Sequence, residues 1–568
     1  MRFHVLASDY DGTLAEQGRV SAATVSCLEA LRRTGRRVIL VTGRQIEDLT
    51  SVCPRLDLFD WVVGENGGVL YQPLRKAMRT LGESPPEGFV RALRGRRVPI
   101  SVGQVVVATH EPYQDVVLDV IREMGLELQV IFNKGAVMVL PTGMNKASGL
   151  AAALASSGYS LHNTLGVGDG ENDHALLSAC EAGVAVGNAV ETLKTRADHV
   201  AHAPAAEGVR VVVRALMEDE KRLYPRADGR NLLHVGATAQ HEPVTLDAFS
   251  EPVLIAGHSG SGKSTVALTL IEQLADRNYQ YCILDPEGDY RGLPGAIVLG
   301  EGHPPDVREV VESLASTHQN VVVNLLEVPF DDRPAFFESL FTRVQELRAR
   351  HGRPHWIVVD EAHHVLPESR LQTELTLPLR MESLMLITVH PAHVRRSLMK
   401  HVRTAVAVGA QARDTLMDFA IAAGVSKPGR TGGELMAGEA LIWRPDDGLK
   451  PQRFRLRTPR TERRRHIRKY AFGQLGPDKS FYFRGPDKRL NLRVQNLQLF
   501  LQVAEGVDDL TWLHHLERHD YSRWLRECIK DEALAEELEQ VEHDLRLDPV
   551  GSRARVRAAI ETRYTGPA

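Results

Sequence analysis

VLASDYDGTL, residues 5–14, joins an uncharged apolar run to a group of acidic and turn-forming residues. The run up to Ser8 is typical of a buried parallel strand. Two carboxylates follow, Asp9 and Asp11; one can attack phosphorus while the other manages the proton of the leaving group. Gly12 permits the tight turn that keeps both near a ligand. Because Asp-Gly is also a common turn pair, these residues alone leave a purely structural role open.

Three further segments favour phosphate chemistry. Thr42-Gly43-Arg44 ends a second apolar run, where a hydroxyl and backbone N–H groups could hold a phosphate. Lys146 precedes a helical pattern and offers a cation for phosphoryl charge. The segment at 168–173, GDGEND, ends another apolar run and supplies the hard oxygen ligands that suit Mg²⁺.

The N-terminal pattern, residues 1–215, alternates short apolar runs with amphipathic stretches, which predicts an α/β fold with a parallel sheet. Ligands of such sheets bind at the carboxyl ends of the strands. The polar segments that follow the apolar runs are therefore expected to meet at one edge. Residues 216–230 are charged and predict a linker.

These motifs, in this order, resemble the Cof-like phosphatases of the haloacid dehalogenase superfamily. The resemblance implies a Rossmann-like core in which Asp9 is the nucleophile that forms an aspartyl-phosphate, and Asp11 is the general acid/base. It implies a phosphate-binding set of Thr42, Gly43, Lys146 and Asn172. It also implies Mg²⁺ binding by a carboxylate set of Asp9, Asp11, Asp169 and Asp173.

The resemblance also predicts a cap. Glu65-Asn66-Gly67-Gly68 matches a loop that these phosphatases place beside the active site, and about 69–141 would form a small α/β lid. Caps of this family select the substrate, and relatives often act on sugar phosphates. A small phosphorylated metabolite is therefore the expected substrate by analogy.

A second phosphate motif begins after another apolar run. GHSGSGKS at 257–264 fits the P-loop pattern between a strand and a helix, the setting in which backbone N–H groups cradle phosphates. Lys263 is expected to reach the β- and γ-phosphates of ATP, and Ser264 to bind Mg²⁺. The expected ATP-binding set is Gly257, Ser259, Gly260, Ser261, Gly262, Lys263, Ser264 and Thr265.

An apolar strand ending in two acids, HWIVVDE at 355–361, completes this second site. Asp360 is expected near the Mg²⁺ shell and Glu361 where it can activate water, so ATP hydrolysis is favoured over phosphoryl transfer to a second substrate. His363 and His364 are expected to pack or to lie at the surface.

DPEGDY at 285–290, DEAHH at 360–364 and LMLITVHPAHV at 384–394 together resemble HerA/FtsK-type ATPases. This resemblance implies a RecA-like core over 231–460 and an oligomeric ring, often a hexamer, with ATP at subunit interfaces. Thr388 and His390 are sensor candidates, although many relatives carry glutamine nearby. The possible arginine fingers are Arg380, Arg403 and Arg413.

The C-terminal part, 461–568, is expected to hold the end of a basic segment and a small, mainly helical module that docks a protein partner. The basic segment, 453–469, carries nine basic residues against one acidic residue. Clustered arginine attracts nucleic-acid phosphates, but a solvated strand and linker explain the run equally well.

Bulk properties limit the classes of protein. The 568 residues suggest two to four domains, the net charge is −4, and the five cysteines show no metal-ligand spacing. No signal-peptide pattern and no apolar run of about 18 residues is present, so a soluble cytoplasmic protein without membrane contact is expected.

Three hypotheses of function follow. The first is a bifunctional Mg²⁺-dependent phosphatase and oligomeric ATPase. In the second, the chain is a DNA-translocating or DNA-end-processing enzyme that binds DNA and acts on phosphorylated nucleic-acid ends. In the third, it is an ATP-driven scaffold that recruits a protein through its C-terminal module.

Overall fold

The computed structural model describes residues 1–225, 229–368, 382–430, 433–460, 470, 475, 479–487, 490–529, 531–544 and 548–564. Within these residues the chain forms an N-terminal α/β unit, a second and larger α/β sheet, and a helical C-terminal module.

The N-terminal sheet has eight strands in the order β12-β11-β10-β1-β2-β3-β4-β5 and is parallel from β12 to β3. Its strands are β1 (Val5–Asp9), β2 (Arg37–Val41), β3 (Trp61–Gly64), β4 (Val69–Gln72), β5 (Ala77–Thr80), β10 (Thr164–Gly168), β11 (Ala182–Ala185) and β12 (His199–Val200). Its helices are α1 (Ala22–Arg33), α2 (Ile46–Val52), α5 (Lys146–Ala155), α6 (His174–Ala179), α7 (Glu191–Arg196) and α8 (Ala205–Glu218). The helices bury apolar side chains on both faces of the sheet, as a parallel sheet requires.

A separate four-stranded antiparallel sheet, in the order β6-β7-β9-β8, forms the cap. Its elements are α3 (Glu87–Gly95), β6 (Ser101–Val102), β7 (Val107–His110), α4 (Gln114–Glu123), β8 (Leu128–Asn133) and β9 (Ala136–Pro141). The cap boundary expected at about 69 is too early. Val69–Gln72 and Ala77–Thr80 pair with the core sheet instead, because the turn at Glu65–Gly67 folds β4 back antiparallel onto β3.

The second sheet has eleven strands in the order β14-β13-β23-β22-β21-β15-β20-β19-β16-β18-β17. The strands are β13 (Leu232–Ala237), β14 (Pro243–Asp247), β15 (Val253–Ala256), β16 (Tyr281–Asp285), β17 (Ala296–Leu299), β18 (Asn320–Asn324), β19 (Trp356–Val359), β20 (Leu384–Thr388), β21 (Thr404–Val408), β22 (Glu439–Trp443) and β23 (Gln452–Leu456). The helices are α9 (Lys263–Asp276), α10 (Val307–Ala315), α11 (Arg333–His351), α12 (Ala362–Val365), α13 (Arg396–Met399) and α14 (Ala412–Ala423). The strand β20 lies between β15, which leads into the P-loop, and β19, which ends in the two acids.

The C-terminal module contains a hairpin of β24 (Phe481–Phe483) and β25 (Leu492–Val494). Its helices are Leu497–Gly506, Asp509–Glu517, Asp520–Trp524, the π-helix Leu525–Ile529, Glu532–His543 and Pro549–Tyr564. Phe481, Phe500, Trp512 and Tyr521 form its core, with Trp512 and Tyr521 stacked at 4.5 Å between ring centroids. The expectation of a mainly helical module is confirmed.

The two α/β sheets meet through a buried polar cluster centred on Glu181. Its carboxylate accepts hydrogen bonds from Tyr279 Oη at 2.8 Å and from Asn231 Nδ2 at 3.0 Å. Nδ1 of His162 lies 2.8 Å from the same carboxylate, and Arg2 forms a buried ion pair with it. Since Arg2 precedes β1, Glu181 precedes β11 and Tyr279 precedes β16, the contact joins the amino ends of the strands of both sheets.

Further contacts extend this interface. The ring of His162 stacks on that of Tyr279 at 3.6 Å between centroids, and Ser160 Oγ lies 2.9 Å from Nε2 of His355. The guanidinium of Arg353 donates to the carbonyl of Gly158. This interface between the amino ends of the strands is the shared base of the two sheets. The candidate phosphate-handling residues lie at the carboxyl ends of the strands, so the two candidate sites face away from the shared base.

Candidate functional sites

Asp9 lies at the end of β1 and forms the centre of the N-terminal site. Its Oδ1 is 2.6 Å from Nζ of Lys146, which also lies 2.6 Å from Oδ1 of Asp173. All three side chains are buried. Burial, reinforced by the charge of Asp173, raises the pKa of Asp9 to about 8, while Lys146 opposes that rise. Burial disfavours the ammonium of Lys146, but Asp173 and Asp9 outweigh it and raise the pKa of Lys146.

Three buried carboxylates in this site could hold a metal ion: Asp9, Asp169 and Asp173 each offer an oxygen, and these oxygens lie within 4.8 Å of one another. Oδ2 of Asp173 already accepts the backbone N–H groups of Asp169 and Gly170, both at 2.9 Å. Since its Oδ1 contacts Lys146, Asp173 orients the loop. Asp169 accepts hydrogen bonds from Thr13 and Asn188 and pairs with Lys134, and Asp9 pairs with Lys146 through Oδ1. The set of hard oxygen ligands fits Mg²⁺.

Asp11 is not part of this carboxylate group, which corrects its expected role as a metal-ligating side chain. Arg44 grips both of its oxygens, with Nε–Oδ2 at 2.6 Å and Nη2–Oδ1 at 2.8 Å. The Asp11 side chain is 45% exposed, so it faces the open side of the site rather than the buried acids. Both carboxylate oxygens of Asp11 are therefore occupied by Arg44.

The expected phosphate-binding residues surround the acids. Thr42 is buried at the end of β2, and its Oγ1 accepts the backbone N–H of Arg44 at 3.1 Å. Gly43 lies close to Nδ2 of Asn172, since a Cβ built at Gly43 would be 3.9 Å from it. Nδ2 of Asn172 in turn donates to Oδ1 of Asn66 at 3.0 Å. The motifs are thus brought together at one edge of the sheet.

The cap contributes a residue that the sequence analysis missed, Lys134. It occupies the two-residue turn between β8 and β9 together with Gly135, and both have positive φ. Nζ of Lys134 forms an ion pair with Asp169, and its backbone N–H donates to Glu171 at 3.2 Å. The sequence Asn133-Lys134-Gly135 is typical of a tight turn. Its neighbouring residues do not indicate that this turn contacts the acids of the site.

Glu65, in the loop expected beside the active site, contacts the connection that leads into the cap. Its buried carboxylate accepts three successive backbone N–H groups, from Gln104 at 2.9 Å, Val105 at 2.7 Å and Val106 at 3.0 Å. Glu65 itself has a left-handed backbone with φ +49. This buried carboxylate fixes the connection between core and cap.

The P-loop has the expected strand-turn-helix geometry. Gly257, Gly260 and Gly262 have φ values of +151, +78 and +107, and α9 begins at Lys263. A Cβ at Gly257 would collide with the carbonyl oxygen of Val408. Nζ of Lys263 donates to the carbonyl of His258 at 3.1 Å, which folds the lysine over the loop. The remaining expected residues, Ser259, Ser261, Ser264 and Thr265, lie in this loop and the first turn of α9.

The two acids follow β19 on the same edge of the sheet. Oδ1 of Asp360 accepts the backbone N–H of Glu361 at 3.0 Å. Glu361 has a left-handed backbone, φ +40, and directly precedes α12. Ala256 of β15 pairs with Thr388 of β20, so Thr388 lies beside the start of the P-loop, where a sensor was expected.

Histidines surround Thr388. Its Oγ1 lies 3.1 Å from Nδ1 of His363 and accepts the backbone N–H of His390 at 3.1 Å. Burial, together with His364, His390 and other neighbouring cations, lowers the pKa of His363 to about 3. His363, expected to pack or to lie at the surface, instead contacts both the sensor candidate and Glu361.

Among the arginine-finger candidates, Arg403 pairs with Asp446 at 3.0 Å and Arg413 donates to the carbonyl of Gly433 at 3.2 Å. Arg380 and the basic residues at 461–469 lie outside the described residues. In the described part of the chain, no helix is long and apolar enough to cross a membrane.

The folds and the two sites define the class: one chain joins a phosphatase domain to a P-loop ATPase domain. A profile of haloacid dehalogenase-like hydrolases matches residues 6–85 and 98–213. A phosphoglycolate phosphatase from Methanothermobacter thermautotrophicus is 32% identical over 221 residues, covering 37% of this chain and 98% of that protein. Through this N-terminal part, the chain belongs to the haloacid dehalogenase-like hydrolases.

Two further similarities concern the same part of the chain. Phosphoglycolate phosphatase 2 from Saccharolobus solfataricus is 26% identical over 210 residues, 36% of this chain and 88% of that protein. The solved structure of a haloacid dehalogenase-like hydrolase from Bacteroides thetaiotaomicron is 19% identical, with a TM-score of 0.33, over 38% of this chain and all of that chain.

A second profile, described as helicase HerA, central domain, matches residues 233–351, which include the P-loop and end before Asp360. The expected fusion of a Cof-like hydrolase with a HerA-like ATPase is confirmed. The chain is a hydrolase with both activities in one polypeptide.

Proposed function

We propose that the N-terminal site hydrolyses a phosphomonoester of a small carboxylic acid, with Mg²⁺, while the second site hydrolyses ATP to ADP and phosphate. The observation that carries the proposal is the buried group of Asp9, Asp169, Asp173 and Lys146, onto which the cap places Lys134.

Asp9 is the nucleophile of the proposed phosphatase reaction. Its carboxylate attacks phosphorus, the bond from phosphorus to the ester oxygen breaks, and Asp11 protonates the departing alkoxide once Arg44 has released it. Water then attacks the aspartyl-phosphate, gives its proton to Asp11 and frees inorganic phosphate and Asp9. Lys146 neutralises phosphoryl charge. Mg²⁺, when held by Asp9 and Asp169 beside Asp173, supplies further charge neutralisation at the phosphoryl oxygens.

Lys134 supports the choice of an acidic substrate. Its ammonium pairs with Asp169, and a cation that binds Asp169 would free the lysine for an anionic group of the substrate. The similar proteins from Methanothermobacter thermautotrophicus and Saccharolobus solfataricus are phosphoglycolate phosphatases, which agrees with such a substrate.

The test compares phosphoglycolate with ethyl phosphate, which lacks the carboxylate. Lys134→Ala is expected to lower kcat/KM for phosphoglycolate about 10- to 100-fold, the worth of a charged hydrogen bond, and to change ethyl phosphate hydrolysis less than about threefold. Lys76→Ala is the matched control, because Lys76 is another turn lysine with positive φ, outside the site. Equal losses for both substrates would contradict the acidic-substrate proposal.

In the proposed ATPase site, the P-loop and Lys263 hold the phosphates, Ser264 and Asp360 hold Mg²⁺, and Glu361 activates water. The support is the order β15-β20-β19, which brings the P-loop, Thr388 and the two acids to one edge. Glu361→Gln is expected to lower kcat for ATP hydrolysis at least about a thousandfold, while ATP still binds.

Assembly into a ring and binding of DNA rest on the likeness to HerA. We expect a mass near six chains, against 62.9 kDa for one, when ATP is present. Analytical ultracentrifugation with and without ATP measures this, and a monomer under both conditions would contradict it. DNA binding with a steep salt dependence would favour an end-processing role instead.

A further inference from the structure

His363 lies between two groups that the proposed ATPase reaction uses. Its Nδ1 is 3.1 Å from Oγ1 of Thr388 and 3.4 Å from Oε2 of Glu361. The imidazole is largely buried, with 12% of the side chain exposed. One ring nitrogen therefore lies near two oxygen atoms, one from Thr388 at the end of β20 and one from Glu361, which directly precedes α12.

The backbone fixes both partners around this nitrogen. Thr388 ends β20, and its carbonyl accepts the N–H of Gly257, the first residue of the P-loop, at 3.4 Å. Glu361 precedes the single turn of α12, on which His363 sits. A shift at Thr388 is thus transmitted to Glu361 through one side chain.

Nδ1 of His363 can accept a hydrogen bond from Thr388 or donate one to Glu361, but it cannot do both at once. The N–H of His390 already donates to Oγ1 of Thr388, so the Thr388 hydroxyl has one hydrogen to place. If that hydrogen points to Nδ1, the nitrogen presents a lone pair, which repels the Glu361 carboxylate. If the hydroxyl instead donates to a phosphate oxygen, Nδ1 can carry the hydrogen and donate it to Glu361.

We propose that His363 is a positioning residue that links a γ-phosphate at Thr388 to the orientation of Glu361. The inference rests on the proposed ATPase function. The exchange moves the ring between its two neutral tautomers, with one proton leaving Nε2 and one arriving at Nδ1, so no net proton is consumed. The surrounding rings of His364, at 4.0 Å, and His390, at 5.6 Å between centroids, disfavour the charged form.

Three substitutions of His363 distinguish a positioning role from a purely structural packing role. The side-chain amide of His363→Asn can stand at the position of Nδ1, whereas that of His363→Gln reaches the position of Nε2. We expect His363→Ala and His363→Gln to lose roughly 10- to 100-fold in kcat, with KM for ATP changed less than about threefold. His363→Asn is expected to retain at least about a third of kcat. His393→Ala, on the exposed side of the same histidine cluster, is the control and should behave as wild type.

The decisive experiment measures steady-state ATP hydrolysis by the full chain for these variants alone and combined with Glu361→Gln. If His363 acts through Glu361, then His363→Ala adds no further loss to the Glu361→Gln variant. Equal losses of kcat in the Asn, Gln and Ala variants of His363, or additive losses in the double variant, would overturn the proposed role of His363. The ATPase assignment would still stand in that case. Full activity of Glu361→Gln would overturn the ATPase assignment together with the role of His363.

Discussion

At the residue scale, Lys146 explains how three acids can share a buried space. It contacts Asp9 and Asp173 at 2.6 Å each, and it is itself 1% exposed. A buried ammonium and the two carboxylates beside it are tolerated in the folded protein only together. Removing one partner leaves the charges of the others uncompensated.

Lys146→Met should therefore reduce the free energy of unfolding by about 3–5 kcal/mol in metal-free buffer, because the buried ion pairs with Asp9 and Asp173 are lost. Added Mg²⁺ should recover part of this loss, since a cation binding only the folded state stabilises it. Urea denaturation with and without Mg²⁺ measures both effects.

The control is Lys194→Met, which removes an exposed pair with Glu191 at 3.7 Å, worth at most about 1 kcal/mol. If the two methionine variants were equally stable, the buried lysine would have no special role in holding the acids.

The positions of these residues were largely predictable from sequence, because each motif is short and contiguous. The nucleophile candidate Asp9, the phosphate-binding candidate Lys146 and the P-loop lysine all lie where their motifs place them. Lys134 was not predictable as a site residue. The loop of Glu65 was expected beside the active site, but the contact of its carboxylate with the cap connection was not predictable. The contacts of Lys134 and Glu65 span 35 and about 40 positions of sequence, which no local pattern encodes.

At the element scale, the entry to the cap depends on one carboxylate. Glu65→Gln replaces one of its oxygens by an NH2 group, which cannot accept a hydrogen bond, so at least one of the three bonds from the N–H groups of residues 104–106 is lost. Each lost charge-assisted bond costs about 1.5–3 kcal/mol locally, so the cap connection should loosen and phosphatase turnover should fall.

Hydrogen exchange at residues 104–106 measures this loosening and should rise at least tenfold in the Glu65→Gln variant. Glu83→Gln, an exposed residue near the same connection, should leave exchange unchanged. Unchanged protection in both variants would show that the cap is held by other contacts.

The P-loop is the second element with a sharp steric requirement. Gly257→Ala places a Cβ against the carbonyl of Val408 at a φ of +151, so the loop must shift and nucleotide binding should be lost. Gly292→Ala, where a Cβ meets nothing within 4 Å, is the control and should bind ATP as wild type. Equilibrium binding of a fluorescent ATP analogue checks both variants, and tight binding by Gly257→Ala would contradict the geometry.

Several strands of both sheets, among them β1, β2, β10, β15 and β19, were predicted from apolar runs that end in polar groups. The cap boundary was the main error at this scale, because residues 69–80, which were assigned to the lid, form β4 and β5 and pair with the core sheet. Sheet membership depends on the direction in which the turn at Glu65–Gly67 sends the chain, and an apolar run carries no such information.

At the scale of the whole molecule, the two catalytic units share their base. Neutral buried histidines lie there: burial lowers the pKa of His4 to about 4 and that of His355 well below its usual range. Such residues were not predictable as an interface, because they come from segments more than 150 positions apart.

The histidines predict acid sensitivity of the interface. Their pKa values are lowered in the folded state, so the unfolded chain binds more protons below the ordinary value of 6.5. Stability is full above about pH 6.5 and should fall by about 1.4 kcal/mol per histidine for each pH unit below it, down to about pH 4 for His4.

Denaturant unfolding at pH 7.5, 6.5 and 5.5 measures this slope. His4→Gln, which cannot take up a proton, should reduce the slope by about 1.4 kcal/mol per unit. A slope that is the same in this variant would show that His4 is already accessible to protons in the folded chain.

The central claim is that one chain holds two separate hydrolytic sites. Each site lies at the carboxyl ends of the strands of its own sheet, away from the base that the two sheets share. The most direct measurement is phosphate release from phosphoglycolate and from ATP by the wild type, Asp9→Asn and Glu361→Gln. We predict that Asp9→Asn loses only phosphoglycolate hydrolysis and that Glu361→Gln loses only ATP hydrolysis, each by at least about a thousandfold. Loss of both activities in either variant, or of neither, would contradict the claim.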